Sequence, residues 1–299
     1  MTREVLLVVH AGRHDTLRTA EKVAGQLIGS GMRVRVLTSE APDLSADCYT
    51  RVVASGPLAA EGTELVLVLG GDGTLLRASE LARMADVPVF GVNLGRVGFL
   101  AGADSDALDE AINAVVERRY HVEDRMTIDV TATLDGAALA RTWALNEASV
   151  EKSSRERILD AVVEVDGHPV SAFGCDGVLC STPTGSTAYA FSAGGPVVWP
   201  EVQALLVVPS NAHALFSRPL VVSKDSLVAL EVDQNGHDAV LCCDGQRNFD
   251  LPAGARVEVV AGERPLRLVR LHDTPFTDRV VRKFELPVQG WRGPVSTDP

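Results

Sequence analysis

The stretch ELVLVLGGDGTLLRASELARMA (64–85) joins two patterns at one glycine-rich point. Before the joint, Leu65 to Leu69 is a short unbroken apolar run, as in a strand buried on both faces. After it, TLLRASELARMA (74–85) reads as a helix. A strand that ends where a helix begins is the βα step of a parallel sheet, and ligands of open α/β sheets bind at the carboxyl ends of the strands. Gly70, Gly71 and Gly73 let backbone N–H groups approach a phosphate. Asp72 brings a negative charge into the same loop, which is repulsive toward polyphosphate unless the carboxylate holds a metal, accepts a proton or binds a hydroxyl. The loop is not a Walker A sequence, since no G-K-[ST] follows. Nor is it G-x-G-x-x-G, because Leu76 stands in the third place. The plainest alternative is a tight turn capped by Asp72 or Thr74.

Outward from this joint, the same alternation runs through residues 1–124. VLLVV (5–9) reads as a buried strand, and Leu17, Ala20, Val23, Ala24, Leu27 and Ile28 recur at helical spacing. RVRVLT (33–38) is expected to be a strand of alternating exposure, and 39–63 a poorly periodic connection. VPVFGV (87–92) is a further strand. DSDALDEAINAVVERR (104–119) is a helix opening on Asp104 or Ser105 as cap. Strands apolar on both faces, alternating with helices, imply a parallel sheet with flanking helices.

Near residue 125 the pattern changes. MTIDVTATL, ALNEASVEK, LDAVVEVDG, LLVVPS, LVALEVD and AVLCCDG are strand-like with little helix between them. Asp135–Gly136, Asp166–Gly167, Asn235–Gly236 and Asp244–Gly245 are dipeptides of hairpin turns. The expected architecture is an α/β N-terminal domain (1–124) followed by a β-rich, mainly antiparallel C-terminal domain (125–274). Residues 275–299, with the helical TPFTDRVVRKF (274–284), pack back on the first domain.

The chain has 299 residues, 46% of them hydrophobic, and a net charge of −12. Such a charge argues against a nucleic-acid or anionic-membrane surface, so any anionic ligand is held by local donors. The N-terminal apolar run is too short for a signal or a membrane span, so a soluble, cytoplasmic protein is expected. Five cysteines (Cys48, Cys175, Cys180, Cys242, Cys243) form no C-x-x-C pair. They read as reduced, partly buried thiols, the alternative being a zinc site drawn from the last four. The histidines lack metal-ligand spacing; His10 and His14, near the first strand end, are within reach of a phosphate but read as surface histidines. No structural metal is expected. The absence of a G-x-S-x-G elbow disfavours a Ser–His–Asp hydrolase.

Three further stretches carry polar chemistry. NLGRVGFL (93–100) is a glycine-spaced loop after a strand, with Arg96 as a local cation. STPTGSTAYAFSAGGP (181–196) concentrates hydroxyls and glycines around Tyr189, which suits a nucleoside; otherwise it is an exposed β-loop. Asn146–Glu147 lies within the apolar strand WALNEASV, where neighbouring side chains face opposite ways. One of the pair then faces a cleft, unless both belong to an edge-strand polar patch.

Taken in order, GGDGT (70–74), NLGRVGFL (93–100), Asn146–Glu147 and TPTGSTAY (182–189) resemble the NAD kinase family, over nearly the whole chain from HAGR (10–13) to VRKF (281–284). GGDGT alone is shared with diacylglycerol and sphingosine kinases and, more loosely, with phosphofructokinases. TPTGSTAY after an N-E pair is much more specific. The resemblance implies transfer of a phosphoryl group from Mg-ATP or polyphosphate to the 2′-hydroxyl of the adenosine ribose of NAD, with the divalent cation arriving on ATP. It implies Asp72 as general base. It places Asn146 and Thr187 at adenine, Glu147 at the ribose hydroxyls, Asp176 toward nicotinamide and Tyr189 along the dinucleotide. Gly73, Phe99, Thr184, Ala188 and Ser192 complete the NAD-binding set, while Gly71, Gly73, Thr74 and Arg13 line the phosphate-donor side. It further implies a site in the crevice between two domains and a dimer or tetramer built through the β domain. A lipid kinase is the second reading, opposed by the TPTGSTAY loop and by the lack of a basic amphipathic membrane helix. A non-catalytic dinucleotide-binding regulator is the third, opposed by Asp72.

Overall fold

The computed structural model describes residues 2–10, 14–95, 98–214, 216–271 and 275–288. The first unit begins β1 (Glu4–Val9), α1 (His14–Gly29), β2 (Arg33–Leu37), β3 (Arg51–Val53), β4 (Leu65–Leu69), α2 (Asp72–Ala82), β5 (Val89–Asn93), β6 (Ala103–Asp104), α3 (Leu108–Glu117) and β7 (His121–Arg125). The apolar runs become strands because both faces are covered. Leu65 to Leu69 and Val89 to Asn93 are buried at every position, against helix faces such as Ala20, Val23, Ala24 and Leu27 of α1.

Three local expectations are corrected. β2 does not alternate, since Val34 through Leu37 are all buried, Arg35 included. The Arg35 guanidinium pairs with Glu4 (2.5 Å) and donates to the carbonyls of Ala59 and Glu61, so its charge is paired inside. The connection 39–63 contains β3, a strand too short to show a period. Asp104 makes no capping bond; a 3₁₀ turn (Ser105–Ala107) intervenes before α3, and Asp104 pairs instead with Arg282 (2.9 Å).

The second unit comprises β8 (Ile128–Leu134), β9 (Ala137–Ala144), β10 (Glu147–Lys152), β11 (Leu159–Val165), β12 (His168–Cys175), β13 (Gly177–Ser181), the single turn α4 (Tyr189–Ser192), β14 (Ala204–Ser210), β15 (Leu220–Ser223), β16 (Val228–Val232), β17 (Ala239–Cys243), β18 (Arg247–Leu251) and β19 (Arg256–Ala261). Two antiparallel sheets result, in the orders β15-β14-β13-β10-β17-β18 and β12-β11-β16-β19-β8-β9. One apolar core joins Val150, Val178, Val207 and Leu241 of the first to Val130, Val163, Leu230 and Val257 of the second, which makes the unit a sandwich. Asp135–Gly136, Asp166–Gly167 and Asp244–Gly245 have positive φ at both residues, as primed hairpin turns require. Asn235–Gly236 does not; that turn closes by a Gly236 N–H bond to the Asp233 carbonyl (3.0 Å).

The chain then re-enters the first sheet with β20 (Leu266–Arg270), parallel to β5, and ends its described course in α5 (Phe276–Phe284). That sheet runs β3-β2-β1-β4-β5-β20-β7, with β6 also on β5. The two compact units are Met1–Glu123 with Arg267–Pro299, and Asp124–Leu266. The return therefore falls at Arg267, ahead of the position 275 set from the sequence. No helix among the described residues is long and apolar enough to cross a membrane.

Candidate active site

In the first unit, β4 passes into α2 through Gly70 and Gly71. The Gly70 N–H donates to the Val92 carbonyl (3.1 Å), extending the sheet by one step, and Gly71 is the residue that caps α2. The cap residue is a glycine and supplies no side-chain bond, and the Asp72 carboxylate, expected to cap this turn, is bonded elsewhere. Asp72 is the first helical residue, and its carboxylate turns toward the next loop. Oδ2 accepts from the Phe99 N–H (3.1 Å) and Oδ1 from the Leu100 N–H (3.2 Å). It lies directly on Gly98, where a Cβ would come within 3.0 Å of Cγ. Glycine at 98 is thus demanded by the closeness of the carboxylate.

A cavity of about 1010 Å³ opens beside the joint, lined by Gly71, Gly73, Thr74, His10, Thr16 and Asn93 among others. Asp72 is not among its lining residues. Its carboxylate is bonded to the 98–100 loop instead. Gly71 and Gly73 have no positive φ, and a Cβ on either would meet no atom of another described residue within 4 Å beyond its own chain neighbours and helix backbone. Neither backbone conformation nor internal packing explains these two glycines; a bare backbone facing the cavity does. Gly70 differs, since a Cβ there would strike Thr74 Oγ1 at 2.6 Å.

The cavity also holds a cation that sequence reasoning missed. Arg77, about a turn and a half along α2, donates to the Val9 carbonyl (2.7 Å) and pairs with Glu40 (2.6 Å). Glu40 is buried, and burial raises its pKa against the opposing pull of Arg77. Only the proximity of Arg77 to GGDGT hinted at it; Glu40 lay in the stretch without a period. Arg13 and Arg96 lie outside the described residues. Phe99 is 7% exposed, its ring lying against Phe276 and Phe284, so its backbone is what faces Asp72.

The remaining predicted residues are in the second unit. Asn146 is not within a strand: with Leu145 it forms the corner between β9 and β10, where the chain leaves one sheet for the other. Asn146 and Glu147 are both buried and β10 is an interior strand, which excludes an edge patch. Asp244 holds the corner, accepting from the N–H groups of Leu145 (2.9 Å) and Asn146 (2.7 Å) while pairing with Arg247 (2.8 Å). Arg247 in turn lies over the Trp143 ring (4.8 Å).

The hydroxyl-rich loop is not an exposed β-loop, and much of its hydroxyl content is spent on itself. Ser181 donates to the Asn146 carbonyl (3.0 Å), Thr182 to that of Leu145 (2.6 Å) and Ser186 to that of Pro183 (2.6 Å); all three are fully buried. Thr187 donates to the Thr184 carbonyl (3.2 Å), and Thr184 is itself buried. Ala188 ends this turn, and α4 presents Tyr189, 38% exposed, with Ser192 exposed a turn later. Asp176 pairs with Lys152 and accepts from Asn211 Nδ2 (2.9 Å); the Lys152 bond first, then Asn211, holds its carboxyl below the usual range.

Glu147 is the unusual group. Burial first, then the neighbouring Asp244, pushes its pKa up to about 8, against a bond from the Tyr189 N–H. Its Oε2 is buried with no hydrogen-bond partner among the described residues, a costly state that a ligand hydroxyl would relieve. Below about pH 4.5 the carboxyl is protonated folded or unfolded. As pH rises toward 8 the unfolded chain ionises while the folded one does not, so stability is lost over that window and levels off above it. Glu147→Gln lacks this penalty. Its advantage in urea midpoint over the parent should grow from pH 5 to pH 8, and a constant difference would show that Glu147 is ionised in the fold.

Cys175, Cys180 and Cys243 are buried thiols pushed up to about 12 by burial, and all five cysteines are free. No cluster of three or more His, Cys, Asp or Glu suited to a metal occurs among the described residues.

A cavity faced by bare glycine backbone, with a bonded carboxylate beside it, is an arrangement that suits phosphoryl transfer to a hydroxyl. Residues 5–120 match the family model of the ATP-NAD kinase N-terminal domain and residues 145–271 that of the ATP-NAD kinase C-terminal domain. The chain belongs to the NAD kinase family. It is 58% identical to an NAD kinase of Rhodococcus erythropolis, over 98% of this chain and 96% of that one. It is 56% identical to NAD kinase 2 of Streptomyces coelicolor, over 97% of each. Among solved structures it is similar in fold to yeast NADH kinase complexed with NADH (TM-score 0.83, 22% identity, 96% and 88% of the two chains). It is also similar to an NAD kinase from Archaeoglobus fulgidus in complex with ATP (TM-score 0.71, 25% identity, 95% and 99%).

Proposed function

We propose that this chain phosphorylates NAD at the 2′-hydroxyl of its adenosine ribose, with Mg-ATP as donor, to give NADP. The observation that carries the mechanism is the Asp72 carboxylate, fixed by two backbone N–H groups outside the glycine cavity. With each oxygen steadied by one N–H, lone pairs remain to accept the hydroxyl proton. Phosphoryl transfer has a loose transition state, so orienting the alcohol early and taking its proton late suffices. The bare backbone of Gly71 and Gly73, with Thr74, receives the donor phosphates. Magnesium enters as part of that substrate: Thr16, Thr74 and Asn93 offer neutral oxygens at the cavity wall, and the phosphates supply the charge. Asn146 and Thr187 bind adenine, Glu147 the ribose hydroxyls, Asp176 the nicotinamide end and Tyr189 the length of the dinucleotide. The reading extends to a cytoplasmic homo-oligomer, dimer or tetramer.

The test is direct. Purified chain, Mg-ATP and NAD are expected to yield product that an NADP-specific dehydrogenase reduces, whereas diacylglycerol or sphingosine should remain unphosphorylated. Chelation with EDTA should abolish turnover without moving the melting temperature, and polyphosphate in place of ATP reports donor range. A phosphorylated lipid and unmodified NAD would overturn the proposal.

A further inference from the structure

Asp72 is steadied by a loop, and that loop is steadied by residues from beyond the second unit's stretch of sequence. The Phe99 and Leu100 N–H groups go to Asp72, and the loop carbonyls go to two arginines. Arg279 on α5 donates to the Phe99 carbonyl (3.1 Å). Arg270, at the end of β20, donates to those of Leu100 (2.9 Å) and Ala101 (2.7 Å). Arg270 is 3% exposed and is fixed by Glu123 (2.5 Å). The Phe99 ring lies 5.9 Å from that of Phe276 and 5.6 Å from that of Phe284, so α5 grips the loop by side chain as well as by backbone. The decisive point is covalent. The Phe99 carbonyl and the Leu100 N–H belong to one planar peptide group. Whatever holds that oxygen aims that N–H.

We infer that Arg279 is a positioning residue for phosphoryl transfer: by holding the Phe99 carbonyl it fixes the peptide plane whose N–H steadies the Asp72 carboxylate. The inference rests on the reading of Asp72 as general base. Arg279→Ala should lower kcat roughly 10–100-fold, the scale of a misplaced catalytic group, with KM for NAD and for ATP within about twofold of the parent. Hydrogen exchange at the Leu100 amide should accelerate while the β4 amides keep their protection. Arg279→Lys, which still donates one bond, should recover part of kcat. Arg282→Ala, which breaks the Asp104 pair on the same helix, should leave kcat and Leu100 exchange unchanged. In an Asp72→Asn background, Arg279→Ala should add no further loss, because the two act as one unit. If Asp72→Asn is strongly impaired but Arg279→Ala keeps parental kcat, or if the two losses multiply, the inference fails alone. If Asp72→Asn keeps full turnover, the base assignment falls first and the inference goes with it.

Discussion

Replacing Asp72 with asparagine is expected to lower turnover by roughly 10²–10⁴-fold, the range for a positioned general base, while NAD still binds. The structure adds a second consequence. Asparagine offers one oxygen and one amide nitrogen to the Phe99 and Leu100 N–H groups, so one donor loses its acceptor and faces another donor. A cost of about 1–3 kcal/mol to the fold follows, and the melting temperature should drop modestly. Were Asp72 a helix cap, asparagine would replace it well and neither quantity would move. Calorimetric NAD affinity, turnover and melting temperature on one preparation separate the cases. Parental turnover in a folded Asp72→Asn protein would remove the base and the mechanism built on it.

The same one-carbon addition should act in opposite ways at two glycines. At Gly185 a Cβ would run into the Asn146 carbonyl group and approach Ser181 Oγ to 2.5 Å, atoms fixed in the corner that carries Glu147. Gly185→Ala should cost about 3 kcal/mol or more through overpacking. That loss lowers the melting temperature on the order of 10 °C, and NAD affinity should fall as Asn146 is displaced. At Gly73 a Cβ meets no other described residue within 4 Å beyond its chain neighbours and helix backbone, and the residue lies in the first turn of α2. Gly73→Ala should therefore leave stability equal or slightly raised, yet weaken ATP because the methyl occupies the cavity the phosphates need. An ATP KM unchanged in Gly73→Ala would show that the bare backbone serves something other than the donor.

β1, β4 and β5 of the first unit were legible because burial on both faces writes itself as an unbroken apolar run, as at Leu65 to Leu69; β3, β6, β7 and β20 were not read as strands. The antiparallel character of the second unit was legible through its turns, Asp–Gly chemistry marking three hairpins where φ is positive; that its strands form two packed sheets was not. What escaped were groups satisfied by partners distant in sequence. Arg35 reads as an outward residue until Glu4, 31 positions away, is found beneath it. Arg77 and Glu40 are 37 positions apart, and Asp244 reaches Asn146 across 98. The hydroxyls of residues 181–186 misled for the opposite reason. Their number pointed to a ligand, but three of them, Ser181, Thr182 and Ser186, shape the loop instead, which leaves Thr184, Thr187 and Tyr189 for one. GGDGT announced its position at a strand end; the direction of its carboxylate is set by a loop that the motif does not contain.

The first sheet is stitched from two stretches of chain separated by the whole second unit. On a ribosome the polypeptide emerges in order, so β4, α2 and the 98–101 loop exist well before β20 and α5 do. Until residue 266 has passed, β5 waits without its β20 neighbour, and the carbonyls of Phe99, Leu100 and Ala101 wait without Arg279 and Arg270. The β sandwich, contiguous in sequence, is free to fold in that interval. Synthesis thus has a built-in order of completion, in which the loop that holds Asp72 gains its last partners only when the C-terminal stretch arrives.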